Sequence, residues 1–285
     1  MDWTQSVDLI FIIKLAVAVV GGLVTGFVGG MVGLALGRPR LLLIYWTANS
    51  PANAAGTNIL ISGLAALTGS WQHFREGRID YQVLALMGIP TFIGAFIGGF
   101  FAGMVPTAIL LVVVGVTTTW YGYGLFAGRR RRRQEHGGSS PAASDNPSSV
   151  VQVARRKTSP RRYLLEMGMG FIIGLFGGVV GLVLGQLRLP AMMNVLGVEP
   201  RIAAGTNLAI ATFTGLFGFI GHILHWRIDF LLLVAMGSMA MLGSYLGAKY
   251  TGKVSPGTLR RWMGAVRIIT SLPIFWLAYT QLPGP

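Results

Sequence analysis

Long apolar runs recur along this chain, and they constrain its fold more than any other feature of the sequence. An α-helix needs about 20 residues to cross the roughly 30 Å hydrocarbon layer of a bilayer. Runs of that kind lie near residues 9–33, 55–73, 83–103 and 108–126, and again near 163–181, 204–225, 230–248 and 259–279. We therefore predict an all-α polytopic membrane protein with about eight transmembrane helices.

The distribution of charge agrees with a membrane protein. Charged residues make up 11% of the chain, whereas soluble domains carry about 25%. Ten of the 23 basic residues fall between Arg129 and Arg162, in a polar segment rich in Arg, Ser, Pro and Gly. Basic segments beside membrane spans usually set topology, so we predict a flexible cytoplasmic linker and no nucleic-acid partner, despite the net charge of +14.

Two further features limit what the chain can be. It has no cysteine, which excludes disulfides and thiolate sites. Asp2 and Asp8 stand where a cleaved signal would be basic, and the first apolar run is too long for a signal core. We therefore expect the first helix to remain in the mature protein, which we predict to lie in the bacterial inner membrane.

The chain repeats itself at an offset of 148 to 149 residues. GLALGRPR at 33–40 recurs as GLVLGQLR at 181–188, and AAGTN at 54–58 recurs unchanged at 203–207. We predict two homologous repeats, at residues 1–128 and 163–285, joined by the linker at 129–162. Four spans each would make the copies parallel. The short apolar pieces at 41–48 and 189–196 leave an alternative open, in which each belongs to a broken crossing and the copies are inverted.

A broken or re-entrant segment is predicted after the first helix of each copy. Glycine-dense helix ends are followed there by arginine and a short apolar piece, and Arg40 and Arg188 occupy the same repeat position. An intramembrane arginine without a nearby acid indicates a carbonyl cage, a water cavity or an anionic ligand. The alternatives are snorkelling arginines and glycines that serve close helix packing. The candidate ligand-binding residues of this segment are Arg40, Arg188, Gly33, Gly37, Gly181 and Gly185.

The AAGTN pentapeptide is predicted to form the first turn of the next helix, because a proline precedes it by a few residues in each copy. A first turn has free backbone N–H groups and a positive dipole, which suit an anion. Ordinary helix capping is the alternative. The candidates here are Thr57, Asn58, Thr206 and Asn207.

Four further residues are candidates for the transport pathway or a proton relay. His73 and His222 end the second span of each copy, although histidines at such positions are more often structural. Arg38 lies beside Arg40 in the first copy, where the second copy has Gln186. Arg267 interrupts the last span and has no counterpart in the first copy.

The order of these motifs resembles the TauE/SafE-type sulfite exporter family. The resemblance rests on the glycine-rich first helix, the basic break containing proline, A-G-T-N opening the next helix, and His73 followed by Gly77-Arg78-Ile79-Asp80. It covers roughly residues 16–126 and 165–280. It implies a duplicated four-span unit and export of sulfite, sulfoacetate and related anions.

The sequence thus predicts an exporter of small anions with a central site between the repeats, and the resemblance points to sulfite or organosulfonates. No enzyme activity, cofactor or metal is expected, because the chain has few acids, no metal-binding cluster and no nucleophile–base pair. The expected partners are the anion and the bilayer, and self-association is left open. The alternatives are a passive anion channel with the same cationic lining, a membrane enzyme, and a scaffold that recruits partners through 129–162.

Overall fold

A computed structural model describes residues 3–47, 51–101, 123, 160–180, 183–222 and 228–280. Within these residues every regular element is a helix. The helices of the first copy are α1 (Trp3–Val32), α2 (Gly37–Thr47), α3 (Pro51–Arg75) and α4 (Tyr81–Phe100). Those of the second copy are α5 (Pro160–Val180), α6 (185–195), α7 (Pro200–His222), α8 (Phe230–Thr251) and α9 (Pro256–Thr280).

Several helices are long and apolar enough to cross a membrane. Within the described part of the chain, four spans meet both criteria: Leu9–Val32, Tyr81–Phe100, Pro200–Ile220 and Phe230–Thr251. The predicted helices near 55–73, 163–181 and 259–279 correspond to α3, α5 and α9, and the one near 108–126 lies outside the described residues. The all-helical prediction is confirmed for the described residues. The total of eight spans, the division into two homologous repeats and their parallel orientation stay predictions, and the two halves are called copies below after the sequence motifs that recur in them.

Prolines and aspartates fix where the helices begin. Pro51, Pro160, Pro200 and Pro256 each occupy the first position of a helix, where the missing N–H has no intrahelical partner to lose. Asp80 caps α4, since its side chain accepts hydrogen bonds from the backbone N–H groups of residues 82 and 83. Asp229 caps α8 in the same way, with its Oδ1 3.1 Å from the backbone nitrogen of residue 232.

The early start of α3 and α7 corrects one prediction. Both helices begin at a proline, Pro51 and Pro200, six residues before the threonine of AAGTN. Thr57, Asn58, Thr206 and Asn207 therefore lie in the second helical turn, where the backbone N–H groups already have partners. The prediction of a first turn with free N–H groups was wrong because proline begins a helix more strongly than the following small residues do.

The predicted break after the first helix is present. α1 ends at Val32, Gly33 adopts a left-handed φ of 74°, and the chain resumes as α2 at Gly37. In the second copy Val183 and Leu184 are likewise non-helical before α6. α6 is an α-helix over Gly185–Pro190 that continues as a π-helix over Ala191–Val195. Each copy thus places a short helix between its two longer ones.

Glycine ridges join the two copies. Three glycines of α1 and three of α5, spaced four residues apart, form the ridges: an added Cβ on the α1 ridge would overlap the backbone of α8, and one on the α5 ridge would overlap the backbone of α4. These glycines recur every four residues and so share one helix face. The close helix packing that the sequence left open as an alternative is present for them, and it runs between copies. The ridge glycines and the residues that they contact are Gly22, Gly26 and Gly30 against Met236, Ala240 and Ser244, and Gly170, Gly174 and Gly178 against Met87, Thr91 and Ala95.

Candidate functional site

The first half-site, formed by Arg40, Asn58 and Ser62, joins α2 to α3. Arg40 is 1% exposed, and its Nε donates to Asn58 Oδ1 at 3.1 Å. Its Nη2 donates to Ser62 Oγ and, at 3.4 Å, to the backbone oxygen of Asn58. Gly37 allows this approach, because a Cβ there would lie 2.8 Å from Ser62 Oγ and 3.1 Å from Asn58 Nδ2.

The second half-site, formed by Arg188, Asn207 and Thr214, joins α6 to α7 in a similar way. Arg188 is fully buried, and its Nε donates to Asn207 Oδ1 at 3.1 Å. Its Nη1 lies 3.5 Å from Thr214 Oγ1, which is a long hydrogen bond. Gly185 provides the close approach, since a Cβ there would lie 2.7 Å from Asn207 Nδ2.

Both guanidinium groups are held by neutral oxygens. The acceptors are amide, hydroxyl and backbone oxygens, and within the described residues neither Arg40 nor Arg188 forms an ion pair. Arginine keeps its proton in proteins, so the two half-sites place two positive charges in the interior. A buried charge of this kind is costly unless it is compensated. An anionic ligand would supply the compensation that the described side chains do not.

AAGTN also links each copy to the other. Thr206 Oγ1 accepts a hydrogen bond from the backbone N–H of Asp80 at 2.8 Å, and Thr57 Oγ1 accepts one from that of Asp229 at 3.0 Å. Asn207 Nδ2 donates to the backbone oxygen of Gly33 at 2.7 Å. The same pentapeptide therefore orients an arginine within its own copy and fixes the position of the other copy.

A small cavity adjoins the first half-site. Its volume is about 10 Å³, close to the minimum for one water molecule. Arg40 and backbone from the break line it, together with Leu208 of α7 and Ser244 of α8. A larger groove of about 480 Å³ lies between α3 and α8, but its lining is uncharged: Leu67, Thr68, Trp71, Met241, Leu242 and Tyr245. The structure is thus closed around the arginines.

The order and spacing of these elements can be compared with known proteins. A family model described as sulfite exporter TauE/SafE matches residues 15–274, which is most of the chain. The chain belongs to the TauE/SafE sulfite exporter family. This confirms the resemblance seen in the motifs, and with the apolar helices it indicates a multi-pass membrane protein.

The chain is also similar to proteins of Bacillus subtilis (strain 168). The chain is 23% identical over 276 residues to the "Probable membrane transporter protein YunE", covering 92% of this chain and 98% of the relative. It is 27% identical over 233 residues to the "Probable membrane transporter protein YdhB", covering 81% and 86%. No solved structure matches the chain significantly.

The remaining candidates of this TauE/SafE chain have different surroundings. His73 is fully buried, with Nε2 3.3 Å from the backbone oxygen of Gly30. Arg267 of α9 is also fully buried, and its Nη2 donates to the backbone oxygen of Gln186, two residues before Arg188. Gly181 lies outside the described residues, and the side chains of Arg38 and His222 lie outside what the structure describes. The roles of these three candidates stay predictions.

Three residues near the arginines were not among the predicted site residues: Ser62, Thr214 and Gln186. The hydroxyls of Ser62 and Thr214 lie one to two turns beyond AAGTN, on the same helix face as its asparagine. Gln186 Nε2 donates to Thr270 Oγ1 at 3.1 Å and ties α6 to α9. The helical period from Asn58 and Asn207 is the signal that could have found the two hydroxyls.

Proposed function

We propose that this chain is a membrane transporter that exports small anions, namely sulfite or organosulfonates such as sulfoacetate, through a central site between its two copies. The proposal places the protein in the bacterial inner membrane with residues 129–162 in the cytoplasm. Arg40 and Arg188 attract the anion, and the glycine breaks with Asn58 and Asn207 hold the two guanidinium groups in position.

The observation that supports this proposal most directly is the pair of buried guanidinium groups, which lie on short helices that follow glycine breaks. Buried arginines are normally paired with a carboxylate, but the described contacts of Arg40 and Arg188 are with neutral oxygens. A planar guanidinium matches an oxyanion in two parallel hydrogen bonds. Membership of the sulfite exporter family supports a sulfur oxyanion as the ligand class.

The membrane potential supplies a driving force for efflux. An anion that leaves an inside-negative cell gains about 2.3 kcal/mol per charge for every 100 mV. Export of an anion down this gradient requires no nucleotide hydrolysis. The burial of both arginines favours a carrier over a passive channel, because access to either guanidinium requires a conformational change.

The test is anion flux from proteoliposomes loaded with sulfite or with sulfoacetate. Arg40→Gln combined with Arg188→Gln should lower the flux about tenfold or more, because charge-assisted hydrogen bonds to the anion are lost. The matched control is Arg75→Gln combined with Arg261→Gln, which removes two exposed arginines and the same total charge. The control should transport like the unmodified protein.

Two results would contradict the proposal. An Arg40→Gln, Arg188→Gln protein that is folded and transports normally would exclude the arginine site. Unitary currents in planar bilayers, with flux that does not saturate as the anion concentration rises, would identify a channel instead of a carrier.

A further inference from the structure

The two half-sites carry their hydroxyl at different positions: the offset of 149 residues aligns Ser62 with Ala211 and Ala65 with Thr214. Ser62 lies four residues after Asn58 in the first copy, and the corresponding residue after Asn207 is Ala211. Ser62 Oγ donates to the backbone oxygen of Asn58 at 2.7 Å and accepts from Arg40 Nη2. Ala211 is fully buried and has no hydroxyl to offer. The second copy therefore has no acceptor at this position, and its hydroxyl comes from Thr214, three residues further along α7.

The missing hydroxyl changes the state of the second arginine. Nη2 of Arg188 is buried and has no hydrogen-bond partner within the described part of the chain. Nη1 of the same guanidinium makes the long 3.5 Å contact to Thr214 Oγ1, while Nε is fixed by Asn207. The guanidinium is therefore held at Nε by Asn207, while its two terminal nitrogens have few hydrogen bonds.

An unsatisfied buried donor on a charged group is unfavourable, so its persistence needs a reason. The first copy shows that a serine in this helical position accepts from a terminal nitrogen of the guanidinium while the helix continues. The free edge of Arg188 is therefore a specific feature of the second copy. Two terminal nitrogens of an anchored guanidinium, one without a partner and one with a long hydrogen bond, can donate to two oxygens of one oxyanion.

We propose that Arg188 is the primary anion contact and that Arg40 is a positioning residue that holds α2 against α3. This inference rests on the proposed function and makes the central site asymmetric. Nη1 and Nη2 of Arg188 donate to two oxygens carried on one atom, as in sulfite or a sulfonate group. Arg40 keeps its Nη2 committed to Ser62 and Asn58, and it contributes its charge to the field around the anion.

The most direct test gives Arg188 the serine that Arg40 already has. Ala211→Ser should place a hydroxyl beside Nη2, because Asn207, Ala211 and Thr214 share one face of α7. Sulfite and sulfoacetate affinity, measured by calorimetric titration of the purified protein, should fall about tenfold or more as the free donor is occupied. Ala209→Ser is the matched control, since Ala209 is buried on the opposite face of the same helix. Its affinity should equal that of the unmodified protein.

A second pair of variants keeps the test independent of how well Ala211→Ser folds. Lysine retains the charge of arginine but cannot form its planar fork. Arg188→Lys should therefore lower sulfite affinity at least about tenfold further than Arg40→Lys does. Equal losses in the two lysine variants would overturn the asymmetry.

The outcomes also separate this inference from the proposed function. If the unmodified protein binds sulfite and Ala211→Ser binds it equally well, the inference fails while the exporter proposal stands. If the unmodified protein neither binds nor transports any of these anions, both fail. A loss confined to Ala211→Ser and Arg188→Lys supports both.

Discussion

Gly33 shows how much a single residue contributes to the break after α1. Its φ of 74° lies in the left-handed region, which residues with a side chain rarely adopt. A Cβ at this position would also overlap Ala204, which belongs to AAGTN of the other copy. The backbone oxygen of Gly33 accepts from Asn207 Nδ2 at 2.7 Å, so the residue contributes both its shape and its carbonyl.

Gly33→Ala should therefore destabilise the protein. The left-handed conformation alone costs a residue with a side chain about 1–2 kcal/mol, and the overlap with Ala204 adds to it. We expect a lower melting temperature in detergent. Gly168→Ala is the control, because Gly168 is helical and has nothing within 4 Å of an added Cβ. That variant should be neutral or slightly more stable, and equal losses in both variants would contradict the argument.

At the scale of the elements, α3 and α7 each connect their own arginine to the opposite copy. Thr57 and Thr206 accept backbone N–H groups of the aspartates that begin α8 and α4. These two hydrogen bonds are reciprocal, so the start of α4 depends on α7 and the start of α8 depends on α3. The burial of both threonines makes the bonds difficult to replace by water.

Thr206→Val should reveal the strength of this link. Valine keeps the shape of the side chain but leaves the backbone N–H of Asp80 without its acceptor, at a cost of about 1–3 kcal/mol. Thermal denaturation should show the loss. Thr47→Val is the matched control, since the buried Thr47 donates to the Leu43 carbonyl of its own helix at 2.7 Å. A Thr206→Val protein as stable as the control would show that the link is weak.

Much of this element arrangement was predictable from the sequence, but the contacts between copies were not. Apolar runs and glycine spacing predicted the long helices, the breaks and the close packing. AAGTN was placed one turn too early because Pro51 and Pro200 already begin the helices. The threonine–aspartate bonds depend on how helices of different copies pack against each other. The order of motifs along the chain does not predict that packing.

The candidate site was likewise predictable in its main residues but not in their contacts. The recurrence of Arg40 and Arg188 indicated functional arginines, and both are buried beside the predicted asparagines. Ser62 and Ala211 also differ visibly between the copies. The difference acquires a chemical meaning once the guanidinium nitrogens are located, because Ser62 contacts one arginine and Ala211 leaves the other with a free donor.

At the scale of the whole molecule, the two copies interlock, because helices of one copy pack between or along helices of the other. The first helix of each copy packs along the fourth helix of the other: α1 along α8, and α5 along α4. α3 packs against α7 and α8, and α7 also packs against α4. Transport by rocking one copy as a rigid body would break these glycine contacts, so we expect motion to involve the short helices and the segments around the breaks.

Separate expression of the two copies tests this interlocking. Residues 1–128 or 163–285 alone should accumulate poorly in membranes, because each exposes a glycine ridge and an unmatched aspartate N–H. Co-expression should restore both fragments and their co-purification. The measurement is the yield of protease-resistant protein in the membrane fraction. A stable monomeric fragment from either half alone would contradict the interlocked fold.

The reciprocal threonine–aspartate bonds also impose an order on biosynthesis. The backbone N–H of Asp80 must wait for a hydroxyl that is 126 residues further along the chain. At ordinary rates of elongation, that interval is on the order of ten seconds. During it the first copy is already inserted but incompletely satisfied, with its glycine ridge facing lipid or an insertase. We therefore expect membrane chaperones and quality-control proteases to act on the first half until the second copy has been translated.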